Sequence, residues 1–394
     1  MRTQWKFLGP LLIVLFTHAP SFSGEPFRFA VMADSPCAKA RTCDENSAKD
    51  CGPLPLIVED LLARHASNPI HLVVFPGDII AGVFKREAGS VPECNRIMFA
   101  HWRERMMPLL KAKISVRVAA GNHEIMSMDE TQVKRRCGKH LWPYIPLLDN
   151  FTVLKESLGD MIRGVPGPES DLGLTYSFEM GGCHFAILNA YTMSEHNSFS
   201  SQTIQWLDQD LGKAKEAGLM LFVAAHPPAF PGGGHMWDAI PFFDPSYDCE
   251  GYDGRFGIDR RRERDRFWNI LKRHNVVAYL CGHEHNIQVQ EVEGTWQVVS
   301  GALHPKLRPL NGSEGDPQPN TILYDGAFQN PRASVNWPWD ESRKSYWGWC
   351  LITVDGEKVT LEVFGSENKP RKRTNLRPLK TFVLRDGPGR QRSD

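Results

Sequence analysis

His283 and His285 flank Glu284 in the run Leu-Cys-Gly-His-Glu-His-Asn at 280–286. In extended backbone, residues two apart project to one side, and neutral imidazole is the commonest transition-metal ligand. A surface loop that happens to contain histidine would read the same way, so the pair needs company. Four other places carry ligand-type residues: Asp34 in Ala-Asp-Ser-Pro-Cys, Asp78 in Pro-Gly-Asp, Asn122 and His123 in Gly-Asn-His-Glu, and His226 in Ala-His-Pro-Pro. Carboxylates, an amide oxygen and imidazoles form a mixed N/O set that suits Fe, Mn or Zn without choosing among them.

These residues can act together only if the chain places them together. Each of the five sites directly follows an apolar run of strand type, at 27–33, 70–75, 114–120, 219–225 and 275–281. Helical spacing of apolar residues appears at 54–65, 95–111, 201–215 and 260–273. A hairpin pattern spans 175–188 around Gly181-Gly182, and after 286 only β-like runs follow, at 287–292, 295–300, 347–354 and 359–364. The β-α-β-α-β order predicts a sheet containing parallel strands with right-handed crossovers. In such α/β sheets ligands bind at the carboxyl ends of strands, so residues far apart in sequence converge there.

The whole chain sets bounds on partners. Its 394 residues are 41% hydrophobic and 23% charged, an ordinary globular composition. Forty-six basic residues balance forty-six acidic ones, so nothing global steers the molecule to nucleic acid. Arg2 and Lys6 precede an apolar run at 7–16 and small residues at Ser21 and Ser23, the order of a secretory signal peptide over 1–23. That run is too short to span a bilayer, and no later segment is long enough. The expectation is a secreted or periplasmic protein without a transmembrane segment. A domain over 24–366 is expected, with insertions rich in Gly, Pro and aromatics near 231–257 and 305–340, then a basic, solvated tail over 367–394. Of nine cysteines, Cys183, Cys281 and Cys350 lie in apolar runs and are expected to pack as thiols. The six others, Cys37, Cys43, Cys51, Cys94, Cys137 and Cys249, lie in polar surroundings and could form three disulfides. Asn150-Phe-Thr and Asn311-Gly-Ser fit the glycosylation pattern.

Taken in chain order, Gly-Asp, Gly-Asn-His-Glu, a strand-terminal His and Gly-His-Glu-His resemble the calcineurin-like metallophosphoesterase superfamily, which includes the purple acid phosphatases. The likeness runs from about 27 to about 301. It implies a four-layer α-β-β-α sandwich of two mixed sheets flanked by helices, with two di- or trivalent metal ions (Fe, Mn or Zn) in the site. Carried over by position, Asp78 bridges the ions, Asn122, His226 and His283 complete one site, and Asp34 and His285 belong to the other. His123 is then the catalytic histidine, touching substrate beside Asn122. The implied activity is hydrolysis of a small-molecule, lipid or nucleotide phosphoester, with an activated water as nucleophile.

The chemistry has its own logic. Two cations about 4 Å apart hold both the attacking and the leaving oxygens of an in-line displacement. A neutral oxygen from Asn122 leaves them enough charge to acidify water, and a proton from His123 to the departing alkoxide is typically worth about 10²–10⁴-fold. Glu124 either orients that ring or is a solvated acid. One motif departs from the family's usual Asp-x-His, because the third position is Pro36, which cannot bind metal. The tyrosine that purple acid phosphatases use in compensation is Ala81 here. The first site is therefore expected to be weak unless water, Ser35, Cys37 or His304 fills the place. His235, in the glycine-rich loop after His226, either touches substrate or belongs to a plain surface loop. Trp347 and Trp349 alternate on a strand and are expected to pack, whereas Trp337 and Trp339 could rim a sugar, base or lipid. A phosphodiesterase or nuclease on the same scaffold, and a phosphate- or metal-binding protein that has lost its chemistry, are the other readings.

Overall fold

Strands covered on both faces show unbroken apolar runs rather than alternation. Leu72–Pro76 and Met220–Ala224 are buried at every position. The structure is a computed structural model describing residues 24–35, 51–82, 91–128, 144–146, 148–192, 198–230, 256–304, 347–366 and 372–387. The chain begins with β1 (Phe27–Val31), α1 (Leu54–His65), β2 (Leu72–Pro76), α2 (Val91–Lys111), β3 (Ser115–Ala119) and the single turn α3 (Asn122–Ile125). The small paired strands β4 (Met126–Met128) and β5 (Tyr144–Pro146) precede α4 (Leu148–Leu158). Then come β6 (Val165–Pro166), β7 (Tyr176–Met180), β8 (Cys183–Ile187), α5 (Ser201–Glu216), β9 (Met220–Ala224), α6 (Phe256–Arg273) and β10 (Ala278–Cys281). The remaining strands are β11 (Ile287–Val292), β12 (Thr295–Ser300), β13 (Trp347–Asp355), β14 (Lys358–Ser366) and β15 (Arg377–Arg385).

The strands form two mixed sheets. The first has the order β15-β14-β13-β1-β2-β3, with β1, β2 and β3 parallel. The second has the order β11-β12-β10-β9-β8-β7-β6, with β8, β9, β10 and β12 parallel. Successive side chains leave a strand on opposite faces, and the core divides accordingly. Phe29, Val31, Leu72 and Val74 of the first sheet share one cluster with Phe185, Phe222, Leu280 and Val298 of the second. Their neighbours Ala30, Val73 and Phe75 belong instead with Ile57 and Leu61 of α1 and Met98 and Trp102 of α2, in the cluster that also holds Leu207 of α5 and Phe267 of α6. Between the sheets the Phe29 ring stands edge-on to Phe185 and Phe222, at 5.1 and 5.0 Å, within the range of favourable aromatic pairs. Helices outside, two facing sheets inside: this is the four-layer arrangement that the resemblance implies.

Two expectations need correction. The stretch after 366 is not merely a solvated basic tail. Its Arg377–Arg385 strand pairs antiparallel with β14, and the Leu384 carbonyl accepts from Trp296 Nε1 at 2.9 Å. A run of cationic residues concealed an edge strand, for which exposed charge is a normal composition. Asn150 is not a surface glycosylation acceptor either. It is wholly buried in α4, where its Nδ2 donates to the Ile125 carbonyl and its Oδ1 accepts from Asn95. Trp349 packs as expected, its indole N–H on Asp60 at 3.0 Å. Cys183, Cys281 and Cys350 are buried free thiols, and burial pushes Cys183 and Cys350 up to about 12. No helix among the described residues is long and apolar enough to cross a membrane. Residues 1–23, Pro36, Cys37, His235, Asn311, Trp337 and Trp339 lie outside the described residues, as does nearly all of the two expected insertions.

Candidate metal centre

Five strands end at one edge of the sandwich, where backbone bonds tie neighbouring strand ends together, the first of them across the two sheets. Ala33 N donates to the Ser300 carbonyl at 2.8 Å, Asp34 N to that of Gly77 at 3.2 Å, and Gly282 N to that of His226 at 2.9 Å. Asp34, Asp78 and Asn122-His123 thus follow β1, β2 and β3, while His226 and His283 follow β9 and β10 of the facing sheet. His283 and His285 do not lie in extended backbone: their φ angles are +74° and +52°. Asp34 and Asp78 share that left-handed region, at +59° and +54°. Such conformations cost about 1–3 kcal/mol each and persist where the surroundings enforce them. In this chain they turn ligand-type side chains inward at the strand ends.

Asp78, His226 and His283 each bring one ligand atom into a group lying within 4.8 Å of one another. His226 Nδ1 must donate to the Pro76 carbonyl, 2.7 Å away, because a carbonyl can only accept. Its Nε2 then faces Asp78 Oδ2, Asn122 Oδ1 and His283 Nδ1, each at 3.1 Å. Lone pairs of Nε2, Asp78 Oδ2 and Asn122 Oδ1 converge on one spot beside His283 Nδ1. Acceptors cannot satisfy one another, so this cluster calls for a proton or a cation. Burial alone would lower the His226 pKa, but the charge and hydrogen bond of Asp78, with Asp34 beyond, lift it to about 9. Asp78 would be raised by burial, yet His123 and His226 hold it well below the usual carboxylate range. The donor set fits a transition-metal ion.

Next to this cluster, His123 N donates to Asp78 Oδ1 at 3.1 Å, and its Nδ1 donates to the Ala81 carbonyl at 2.7 Å. That leaves Nε2 as the nitrogen on the site side, 3.7 Å from Asp78 Oδ2, on a side chain 22% exposed. The ring is therefore oriented by Ala81, not by Glu124. Glu124 is fully buried and accepts backbone N–H bonds from Asp78, Ile79, Ile80 and Gly121 at 3.0, 2.7, 3.1 and 2.6 Å. It clamps the loop after β2 to the loop after β3. Burial first, then the Asp78 charge, push its carboxyl up to about 8. A Cβ at Gly121 would strike Asp78 Oδ1 and the Asp78 amide, so only glycine lets the two loops close.

Asp34 lies on the other flank. Its Oδ1 accepts from His283 N at 3.0 Å, whereas its Oδ2 is buried with no hydrogen-bond partner, as is the neighbouring Ser35 Oγ. Burial, opposed by His226 and reinforced by Asp78, lifts Asp34 to about 7. His285 does not join the Asp78–His226–His283 group; its ring stacks on His304, centroids 3.5 Å apart and planes 10° from parallel. Asn122, His123, His226 and His283 are thus gathered around Asp78, and Asp34 and His285 flank them on a second side. Sequence reasoning missed the Glu124 clamp, for which the only signal was an acid beside a ligand motif. It missed Tyr191 too, whose buried ring lies 6.1 Å from that of His226.

The profile of the calcineurin-like phosphoesterases matches residues 27–286. The chain belongs to that family, and it is a phosphoester hydrolase of the metal-dependent class with a candidate metal-binding cluster. A solved dimetal phosphatase from Danio rerio is similar in fold at 13% identity, with a TM-score of 0.50 over 92% of this chain and 99% of the other. GAP50, described as the anchor in the inner membrane complex of Plasmodium, is 12% identical, with a TM-score of 0.47 over 92% of this chain and 89% of its own. No curated protein matches.

Proposed function

We propose that the chain is an exported phosphoester hydrolase that holds two cations, one by Asp78, Asn122, His226 and His283, the other by Asp34, Asp78 and His285. The observation that carries this is the convergence of three ligand-type atoms from both sheets on His226 Nε2. Bound cations would polarise the phosphoryl oxygens and acidify a water. The chain's own part is to position and to move protons. Asp78, with its backbone amide clamped by Glu124, fixes one carboxylate between the two flanks. Asn122 adds an oxygen without adding charge. His123 presents Nε2 to the cleft in the tautomer set by Ala81, where a proton on it can pass to the leaving alkoxide. A protein that only bound phosphate would not need that proton donor beside the carboxylate.

Small phosphoesters are the substrate class we favour, because the balanced charge of the chain gives no field for a long polyanion. Export is supported by the leader-like residues 1–23 and by the six cysteines in polar surroundings, a usage that suits an oxidising compartment. The test is turnover of a chromogenic phosphate monoester and its diester by purified protein, metal-stripped and then supplied with Mn or Zn. Cation-dependent hydrolysis is expected. Tight phosphate binding without turnover in any metal would mean a binding protein instead.

A further inference from the structure

Pro36 leaves the Asp34 flank one imidazole short, and the structure brings a histidine there from far along the chain. Gly301 packs so closely on Asp34 that a Cβ would strike Oδ2 and sit 2.9 Å from His285 N. The segment carrying His304 therefore passes directly over the unpartnered Asp34 oxygen. Three residues on, the His304 ring lies against His285, and Trp347 Nε1 fixes the His304 carbonyl at 3.2 Å. Ring centroids 3.5 Å apart are closer than the roughly 4.5–7 Å at which aromatic pairs ordinarily settle. Dispersion alone does not account for the approach. The stacked imidazoles thus follow directly on the segment that covers Asp34 Oδ2, next to the buried Ser35 hydroxyl. All are cation-ligand types, although their ligand atoms are not gathered as those of Asp78, His226 and His283 are.

We infer that His304 supplies to the cation of Asp34 and His285 the imidazole that Pro36 cannot. The inference rests on the two-cation reading, and it selects one of the alternatives that the sequence left open, so that the first site is not weak. The shell is completed from the loop after β12 rather than from the loop after β1. Near-parallel rings cannot both aim an in-plane lone pair at one ion, so cation binding turns one of them. Stacking alone would make His304 a support for His285, and a phenyl ring would serve that purpose as well.

Calorimetric titration of the chelator-stripped full chain with Mn(II) decides the matter. The wild type should show two steps of similar affinity. His304→Ala and His304→Phe should each weaken one step at least as much as the loss of an outer partner to a ligand does, about 10–100-fold, and leave the other unchanged. Ser35→Ala should leave both steps alone. If His304→Phe binds two ions like the wild type, His304 is a stacking partner only and the inference fails while the two-cation reading stands. If Ser35→Ala loses the step and His304→Phe keeps it, the ligand is the hydroxyl. A single step in the wild type would overturn the two-cation reading itself.

Discussion

At the scale of single residues, the site separates groups that hold charge from the group that moves a proton. Asp78 and His283 each contribute an atom to the convergent cluster, so Asp78→Asn or His283→Ala should lower bound metal and abolish turnover together. His123 meets the cluster through its backbone N–H and a 3.7 Å approach to Asp78 Oδ2, and it is not part of the Asp78–His226–His283 group. His123→Ala should therefore keep its metal by elemental analysis and lose about 10²–10⁴-fold in kcat, the usual worth of a general acid. Loss of metal in that variant would show that His123 is a ligand. The ligand types were legible in the sequence because each closes an apolar run, as with Asp78 after Leu72–Pro76. Their conformations were not. Nothing local announces that His283 and His285 adopt positive φ, since that geometry is enforced by loops packed from both sheets.

At the scale of elements, the loops after β2 and β3 behave as one unit because Glu124 accepts from both. Glu124→Gln keeps the shape but turns an amide N–H₂ towards backbone N–H groups that it cannot satisfy. Stranding buried donors costs about 1–3 kcal/mol, so a lowered melting temperature is expected, together with weakened metal binding through displaced Asp78. A variant with wild-type stability and metal content would show that the clamp does not position the carboxylate. The clamp was hidden from sequence reasoning because three of its four partners lie 44–46 residues away. Elements with a clear apolar signature were readable, among them α1 and the β11–β12 pair. Those whose polar residues carry the packing were not: α4 contains the buried Asn150, and β15 is largely exposed on its edge.

At the scale of the whole molecule, the site links folding to protons and to metal. Without a cation, three buried groups hold protons more tightly in the folded chain than their ordinary values allow. Asp34 moves from 3.8 to about 7, Glu124 from 4.5 to about 8 and His226 from 6.5 to about 9. Between about pH 4 and 9 the folded state therefore binds more protons than the unfolded one, and stability must fall as pH rises through that window. Asp78, held low, acts with the opposite sign only in acid, below its ordinary value of 3.8. A cation replaces those protons and is released less readily as pH rises. The gap in melting temperature between the Mn-loaded and the chelated protein should therefore widen steadily from pH 5 to pH 9, surface groups contributing equally to both forms. Thermal melts across that range test it. A gap that stays constant or narrows would mean that the buried carboxylates and His226 are not where the metal binds.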